Sequence, residues 1–435
     1  MNTTTTPDSL PTLPTVEDPR DAIQRRTLRL LFATQILGGI GVGIGVSVGA
    51  LLATEMAGVA LSGLAQSAAV VGGALVVAPA TRITPRYGRR PSLALTYLVG
   101  ALGGVVVVVA AMLDLVPLLF GGLFLFGGGT AAGLQARYAA VDLATDRRRG
   151  RDLSLVVWAT TVGAVAGPNL APLAGIAVES RGVPTLAGPF VFSAIALSLS
   201  AILLLLLLRP DPLIVARSTL SALGPGAGVG PQPRRGMREA LSTVLADRAA
   251  TLGITAMAVG HLVMVGVMAM TPVHILDAGH EAAHTLRIVG IVLSFHIAGM
   301  YALAPVTGWL SDRYGRRPVI LGGVALLLLA CAVAGTAGHG TVQLSAGLTL
   351  LGLGWSGTMV GGSTLLTESV SAEIRPSAQG LSDMIMGLAG ASAGALSGFA
   401  MNGGGYPLVA LLAAAATVPL VLMIVARAAR TAPVP

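Results

Sequence analysis

The 435-residue chain has no lysine, a single cysteine and very little charge, with only 11% of its residues Asp, Glu or Arg. Soluble globular proteins carry about 25% charged residues, so an ordinary water-soluble enzyme is excluded. With 54% of residues hydrophobic, a disordered chain is excluded as well. The lone cysteine, Cys331, sits inside an apolar run, which rules out a disulfide scaffold and any cysteine-based metal site. A phosphate-binding P-loop pattern is absent, which argues against ATP-driven work.

What is present is apolar sequence in lengths that cross a bilayer, at roughly 20 residues per crossing. Twelve runs emerge, over 30–53, 60–80, 92–113, 116–141, 153–178 and 190–208, then 250–276, 288–310, 319–337, 342–366, 378–401 and 406–425. The pattern predicts an all-α membrane protein with twelve transmembrane helices in two six-helix halves. Residues 1–27, rich in Thr, Pro and Asp, read as a disordered tail with no cleaved signal. Residues 28–208 form the first half, 209–249 a linker, 250–428 the second half and 429–435 a short tail. The linker holds Pro210, Pro212 and a Gly-rich stretch from Gly224 to Gly230, followed by Arg234, Arg235 and Arg238. It reads as flexible, with a short amphipathic helix near Met237 to Leu245.

Because lysine is missing, all 27 basic residues are arginine. If both tails face one side, that side holds 24 of them, the opposite loops hold Arg181 and Arg287, and Arg137 lies within a span. The positive-inside rule then predicts that both termini are cytoplasmic and that the protein is a multi-pass component of the cell membrane. The same distribution argues against nucleic acid as a partner, since the charge lies in short loops between spans.

The halves repeat each other. The hexapeptide from Arg86 to Pro91 recurs identically from Arg313 to Pro318, an offset of 227 residues. Asp142 and Arg149 leave the fourth run as Glu368 and Arg375 leave the tenth, offset by 226. Duplication of a six-span unit is a signature of many secondary transporters.

The stretch from Gly308 to Arg317, Gly-Trp-Leu-Ser-Asp-Arg-Tyr-Gly-Arg-Arg, resembles the loop signature of the major facilitator superfamily. As in that family, it lies between the second and third spans of each half. Gly308 would permit close helix approach and Gly315 a turn of positive φ. The resemblance implies gating charge clusters that latch the cytoplasmic ends together in one state and open in the other: Asp312, Arg316 and Glu368 in the second half, and Arg89 with Asp142 in the first. Pro85 stands where the first copy would have its acid, so that latch is expected to be weaker. Gly163, Gly167 and Pro168 resemble the helix-bending element of the family's antiporters, although Ala171 and Pro172 replace the glycines that usually follow.

Charge inside a span costs about 3 kcal/mol on insertion scales. Arg137 lies five residues before Asp142, roughly 7.5 Å deeper along a helix. It either snorkels to the headgroups or faces a cavity with Gln135 and Tyr138. Asp383 enters the eleventh span about as far from the other half, so the two can form an interdomain lock in one conformational state. Gln35, Trp158, Asn169 and Trp355 are further candidates for a cavity wall. His261 and His296 are either proton-coupling sites or hydrogen-bonded structural residues. No acid lies in the middle of spans one, four, seven or ten, so proton coupling falls to Asp142, Glu368, Asp383 or a histidine. His280 and His284 have metal-ligand spacing but occupy a solvated loop, and no metal or cofactor is expected.

The resemblance implies a secondary active transporter that works by alternating access on a small-molecule substrate. The favoured expectation is proton-coupled export of small amphipathic organic molecules by a monomer. The alternatives are an uptake permease for a nutrient or vitamin and, remotely, a membrane-embedded enzyme.

Overall fold

The computed structural model describes residues 19–145, 148–222, 237–371 and 373–431, and every regular element among them is a helix. This follows from the solvent: in a bilayer each backbone N–H and C=O needs a partner within its own segment, which a helix supplies. The first half contains α1 (Pro19–Ala57), α2 (Val59–Tyr87), α3 (Arg89–Leu113), α4 (Val116–Ala139), α5 (Arg149–Glu179) and α6 (Gly188–Leu207). The connection carries α7 (Pro212–Ala222) and α8 (Met237–Ala246). The second half contains α9 (Arg248–Leu276), α10 (Ala282–Tyr301), α11 (Ala304–Tyr314), α12 (Arg316–Gly335), α13 (Thr341–Ser369), α14 (Arg375–Ala415) and α15 (Val418–Thr431).

Ten helical stretches among the described residues are long and apolar enough to cross a membrane, against the twelve runs expected. The run at 342–366 is helical, as α13, but its Gly, Ser and Thr residues dilute its apolar character. The last two runs form one stretch, 375–425, broken at Gly404 and Gly405, where φ reaches 68° and only glycine is at ease. The eighth run is interrupted between α10 and α11, because Pro305 cannot donate to the carbonyl one turn back.

Two further expectations are altered. Helix α1 begins at Pro19, so the end of the expected tail is helical, and residues 1–18 lie outside the described region. Gln24 in this segment is buried and donates to the Ala140 carbonyl and the Asp152 carboxylate, both at 2.8 Å. The linker is not uniformly flexible, since α7 is ordered from Pro212. The amphipathic helix expected near Met237 is α8, which buries Ala240 and Val244 against Ile254 and Leu366. Gly224 to Gly230, Arg234, Arg235 and residues 432–435 lie outside the described residues.

Within the first half the most extensive pairings join α3 to α4 and α1 to α5; their counterparts in the second are α12 with α13 and α9 with α14. The first core gathers around Leu51, Leu123, Phe126 and Phe190, whose two rings meet edge to face at 5.5 Å. The second gathers around Val267, Met270, Leu348 and Tyr406, whose hydroxyl lies 2.8 Å from Thr271 Oγ1.

The halves touch mainly through α2 with α14 and α5 with α10. In lipid no hydrophobic gain drives helices together, so small residues and hydrogen bonds must do so. A Cβ on Gly63 would collide with the Gly394 carbonyl, and one on Gly398 would come within 2.6 Å of the Ala60 carbonyl. Ser67 Oγ donates to the Ala391 carbonyl at 2.6 Å across the same seam. At the second seam Asn169 Nδ2 donates to Ser294 Oγ at 2.6 Å, and the Pro168 carbonyl packs over Gly290. All these contacts lie toward the ends of the helices remote from Pro19 and Val425. At the opposite, tail end, Leu134, Asp383, Met384 and Leu388 are exposed. The close contacts between the halves named here thus lie toward the far end, while the cavity-lining Leu134 is exposed toward the tail end.

Gly63→Leu puts a side chain where the Gly394 carbonyl sits. We expect the far end to open, lengthening the distance between spin labels at Glu55→Cys and His280→Cys on a Cys331→Ser background. An over-packing cost of about 1–3 kcal/mol changes a balanced population roughly fivefold or more. An unaltered distance distribution would count against the glycine seam.

Candidate functional site

Between the halves lies a cavity of about 350 Å³, walled by α1 to α5 from the first half, α3 through Tyr97 alone, and by α9 and α10 from the second. Its volume is in the range of pockets that hold drug-sized ligands. Helix α1 makes the room: Gln35, Gly39, Val42, Val46 and Gly49 recur every three or four residues along one face, and the glycines leave space. Helix α4 contributes Leu123, Phe126, Thr130, Gly133 and Arg137 at the same spacing. Most of the wall is apolar, with polar groups at a few points.

These polar groups divide into two sets. Gln35 lines the cavity as expected, but its amide is already engaged. Its Oε1 accepts from the Tyr97 hydroxyl at 2.7 Å, while Nε2 donates to the Gly133 carbonyl at 3.0 Å. It therefore holds α1, α3 and α4 in register. Arg137, by contrast, is half-buried in the wall and makes no hydrogen bond or ion pair among the described residues. Gln66 on α2, Thr130 on α4 and Tyr301 on α10 also line the cavity with uncommitted polar atoms. Sequence reading missed these three. An amide, a hydroxyl and a phenol carry no charge to betray an intramembrane role, and only helix packing brings them together.

Several residues expected in the wall face elsewhere. Gln135 points into the α3 interface, accepting from Ser92 Oγ at 3.1 Å, because it lies off the Thr130–Arg137 face of α4. Tyr138 is exposed at the tail end beneath the Arg89 guanidinium, 5.9 Å from its ring. Trp158 is exposed and stacks on Phe32 with ring centroids 6.0 Å apart. Asn169 belongs to the α5–α10 seam. Trp355 donates from Nε1 to His261 Nδ1 at 3.3 Å and meets Tyr301 edge to face at 5.9 Å. This pair supports the cavity from behind Tyr301 without lining it. His296 is fully buried, with Nδ1 2.9 Å from the Leu348 carbonyl and Nε2 unpartnered.

The loop charges form the expected pairs. Arg316 binds Glu368 through two bonds, at 2.6 and 3.1 Å, and reaches Asp312 at 3.3 Å. Arg89 binds Asp142 at 2.8 and 3.0 Å. Both are intra-half pairs, tying the start of α3 or α12 to the end of α4 or α13, and neither bridges the halves. Gly315 has φ of 93° as the turn requires, whereas Gly308 has no neighbour close enough to explain a small residue.

The linker places a carboxylate of its own at the α2–α3 turn. Asp211 accepts from the Arg90 backbone N–H at 2.7 Å and from Leu213 N at 3.0 Å, joining the α2–α3 turn to the start of α7. Gly88, with φ of 89°, leaves room for that carboxylate. Arg217 donates to the Pro85 carbonyl at 2.6 Å. The Arg89–Asp142 pair is also more buried than Arg316–Glu368, so the expectation of a weaker first latch does not follow from its surroundings.

Gly163 and Gly167 receive α1 within the first half, where a Cβ on either would approach the Ile36 or Ile40 carbonyl to 2.5 or 2.7 Å. They pack inside one half, and only Pro168 and Asn169 reach the other. Arg137 and Asp383 face each other from opposite halves. Asp383 and Tyr301 both lie in the electrostatic field of Arg137, but no ion pair joins Arg137 to Asp383 in this conformation. His280 and His284 meet ring to ring at 4.8 Å, and no group of three or more candidate metal ligands occurs among the described residues.

The model of the Major Facilitator Superfamily matches residues 30–286 and 279–435. The chain is 38% identical over 406 residues to the uncharacterized MFS-type transporter YdeG of Bacillus subtilis (strain 168), covering 93% of this chain and 92% of that one. It is 27% identical over 408 residues to the riboflavin transporter RfnT of Brucella anthropi, covering 92% and 96%. Among solved structures, the nucleoside transporter NupG superposes with a TM-score of 0.68 at 18% identity, over 93% of this chain and 98% of that one. These relatives are transporters and none is an enzyme. With the family pattern running through both halves and the cavity lying where they meet, the chain belongs to the Major Facilitator Superfamily of multi-pass membrane transporters.

Proposed function

We propose that the protein is a proton-coupled exporter of small amphipathic organic molecules, working by alternating access as a monomer in the cell membrane. The observation that carries this reading is the cavity between the halves, closed at the far end by glycine seams and open at the tail end. Rocking one half against the other would move the opening to the opposite side while the wall residues keep their places. The apolar wall with a few polar groups favours an amphipathic solute. The Gly163, Gly167 and Pro168 element, by its resemblance to antiporters, favours export. A second reading, uptake of a vitamin-like solute, draws its support from the likeness to RfnT.

The tail end, with residues 1–27, 209–249 and 429–435, is assigned to the cytoplasm by the arginine asymmetry, and residues 28–208 and 250–428 are the two moving halves. Arg137 and Asp383 draw together when the tail end closes, and protonation of Asp383 releases them. Losing one member of such a desolvated pair strands the other charge, which is costly. The Arg89–Asp142 and Arg316–Asp312–Glu368 clusters keep the tail end of each half rigid, so that the halves move as bodies.

Three measurements test this reading. A cysteine probe at Ala282 should react with an impermeant label added outside cells, while one at Gly228 should be spared; the reverse pattern would invert the topology. In proteoliposomes, collapsing the proton gradient should abolish net solute movement, and ATP-driven movement without that gradient would refute the coupling. Arg137→Asp and Asp383→Arg should each reduce transport at least about tenfold, the scale of a stranded buried charge. The double exchange should recover part of it, whereas normal transport by Asp383→Asn at unchanged pH dependence would sink the lock.

A further inference from the structure

Among the described residues, Arg137 is the only formally charged side chain in the cavity wall. It stands on the α4 face that also presents Thr130, with Gln66 and Tyr301 on other walls. None of the four is committed to a hydrogen bond among the described residues, in contrast to the satisfied Gln35. Around them the wall is apolar: Val42, Val46, Phe126, Leu293 and Ile297. From this arrangement we infer that the transported solute is an amphipathic organic anion, with a carboxylate or similar planar oxyanion seated on Arg137.

The argument rests on the transporter reading above and on what happens when the tail end closes. Open to that end, the Arg137 guanidinium keeps water for company. Closure removes the water, and an unpaired buried cation is costly. A cationic solute would place a second positive charge beside the first. A neutral solute would leave the guanidinium bare. An anion supplies the missing counter-charge, and the planar fork of arginine fits a carboxylate through two parallel bonds. Gln66, Thr130 and Tyr301 provide N–H and O–H donors for the solute's remaining acceptors. The apolar wall takes its hydrocarbon body.

Asp383 is the competing counter-ion. It faces Arg137 from the opposite half, outside the cavity wall, and forms no ion pair with it here. In the empty carrier Asp383 can close onto Arg137; in the loaded carrier the solute holds that position.

The test uses the full chain in lipid nanodiscs and equilibrium binding by isothermal titration. The probes are naphthylacetate and octanoate, each compared with its neutral amide and with the amine of the same skeleton. The anions should bind the unsubstituted protein about tenfold or more tightly than their amides, as a charge-assisted pair predicts, and the amines most weakly. Arg137→Gln should bring anion and amide to equal affinity while leaving amide affinity unchanged, and Arg137→Lys should keep part of the preference. Binding without anion preference in the unsubstituted protein, or a preference that survives Arg137→Gln, overturns the inference. A fall of all three probe classes together in Arg137→Gln also overturns it, because that marks a structural arginine. Exchange of the same probes across proteoliposomes separates the two readings. Exchange of amines or amides in place of anions leaves transport standing and removes the anion assignment. Anion binding without exchange of any probe does the opposite.

Discussion

The structure depends on how closely two helices can approach when lipid gives them no hydrophobic reason to do so. At the α2–α14 seam the approach is close enough that a Cβ on Gly63 would meet the Gly394 carbonyl. Ser67 adds a hydrogen bond to the Ala391 carbonyl across the same line. The α5–α10 seam repeats the device with Gly290 under the Pro168 carbonyl and Asn169 bonded to Ser294. Small side chains gain dispersion contact at short range and cost little rotamer entropy. At these glycines the seams hold through close backbone approach and single hydrogen bonds. That would suit the rocking of the halves proposed above.

The same economy of side chains shapes the cavity. Glycines along α1 keep the wall thin, and Gly45 yields its space to the Phe126 ring. Polar groups that are fully satisfied, such as Gln35 with Tyr97 and Gly133, fix the first half internally. Arg137, Gln66, Thr130 and Tyr301, left uncommitted among the described residues, face the open volume. The distinction between a buried amide that builds the scaffold and one that is available to a ligand is made by hydrogen-bond partners alone.

At the tail end, electrostatics organise the loops locally. Each loop copy uses an arginine to bind the acid at the end of the next helix, so the pairs stiffen a half and do not span the gap. Where the first copy lacks its acid, Asp211 of the linker occupies the turn and caps the start of α7. From 121 residues away in the chain, Asp211 accepts the Arg90 backbone N–H, and Gly88 leaves room for its carboxylate.

Much of this was legible in the sequence. Apolar run length fixes the membrane class, because the bilayer imposes a length on every crossing. The repeated hexapeptide fixes the duplication and the family, and the matching acids fix Arg89–Asp142 and Arg316–Glu368, since each pair joins helices adjacent in both sequence and space. The face that a polar residue presents was not legible. Gln135 and Arg137 are two positions apart on α4, yet one packs on α3 and the other lines the cavity, because successive helical residues turn by about 100° and only the neighbours decide which direction is inside. Trp158 and Tyr138 look like binding residues by chemistry and stand outside the cavity by geometry. Gln66, Thr130 and Tyr301 look ordinary and face into it. Nor could the sequence show that Asp211 reaches the α2–α3 turn, since local pattern carries no information about a contact made by a distant segment. Composition and periodicity settle which residues enter the membrane; the packing of one half against the other decides which of them meet.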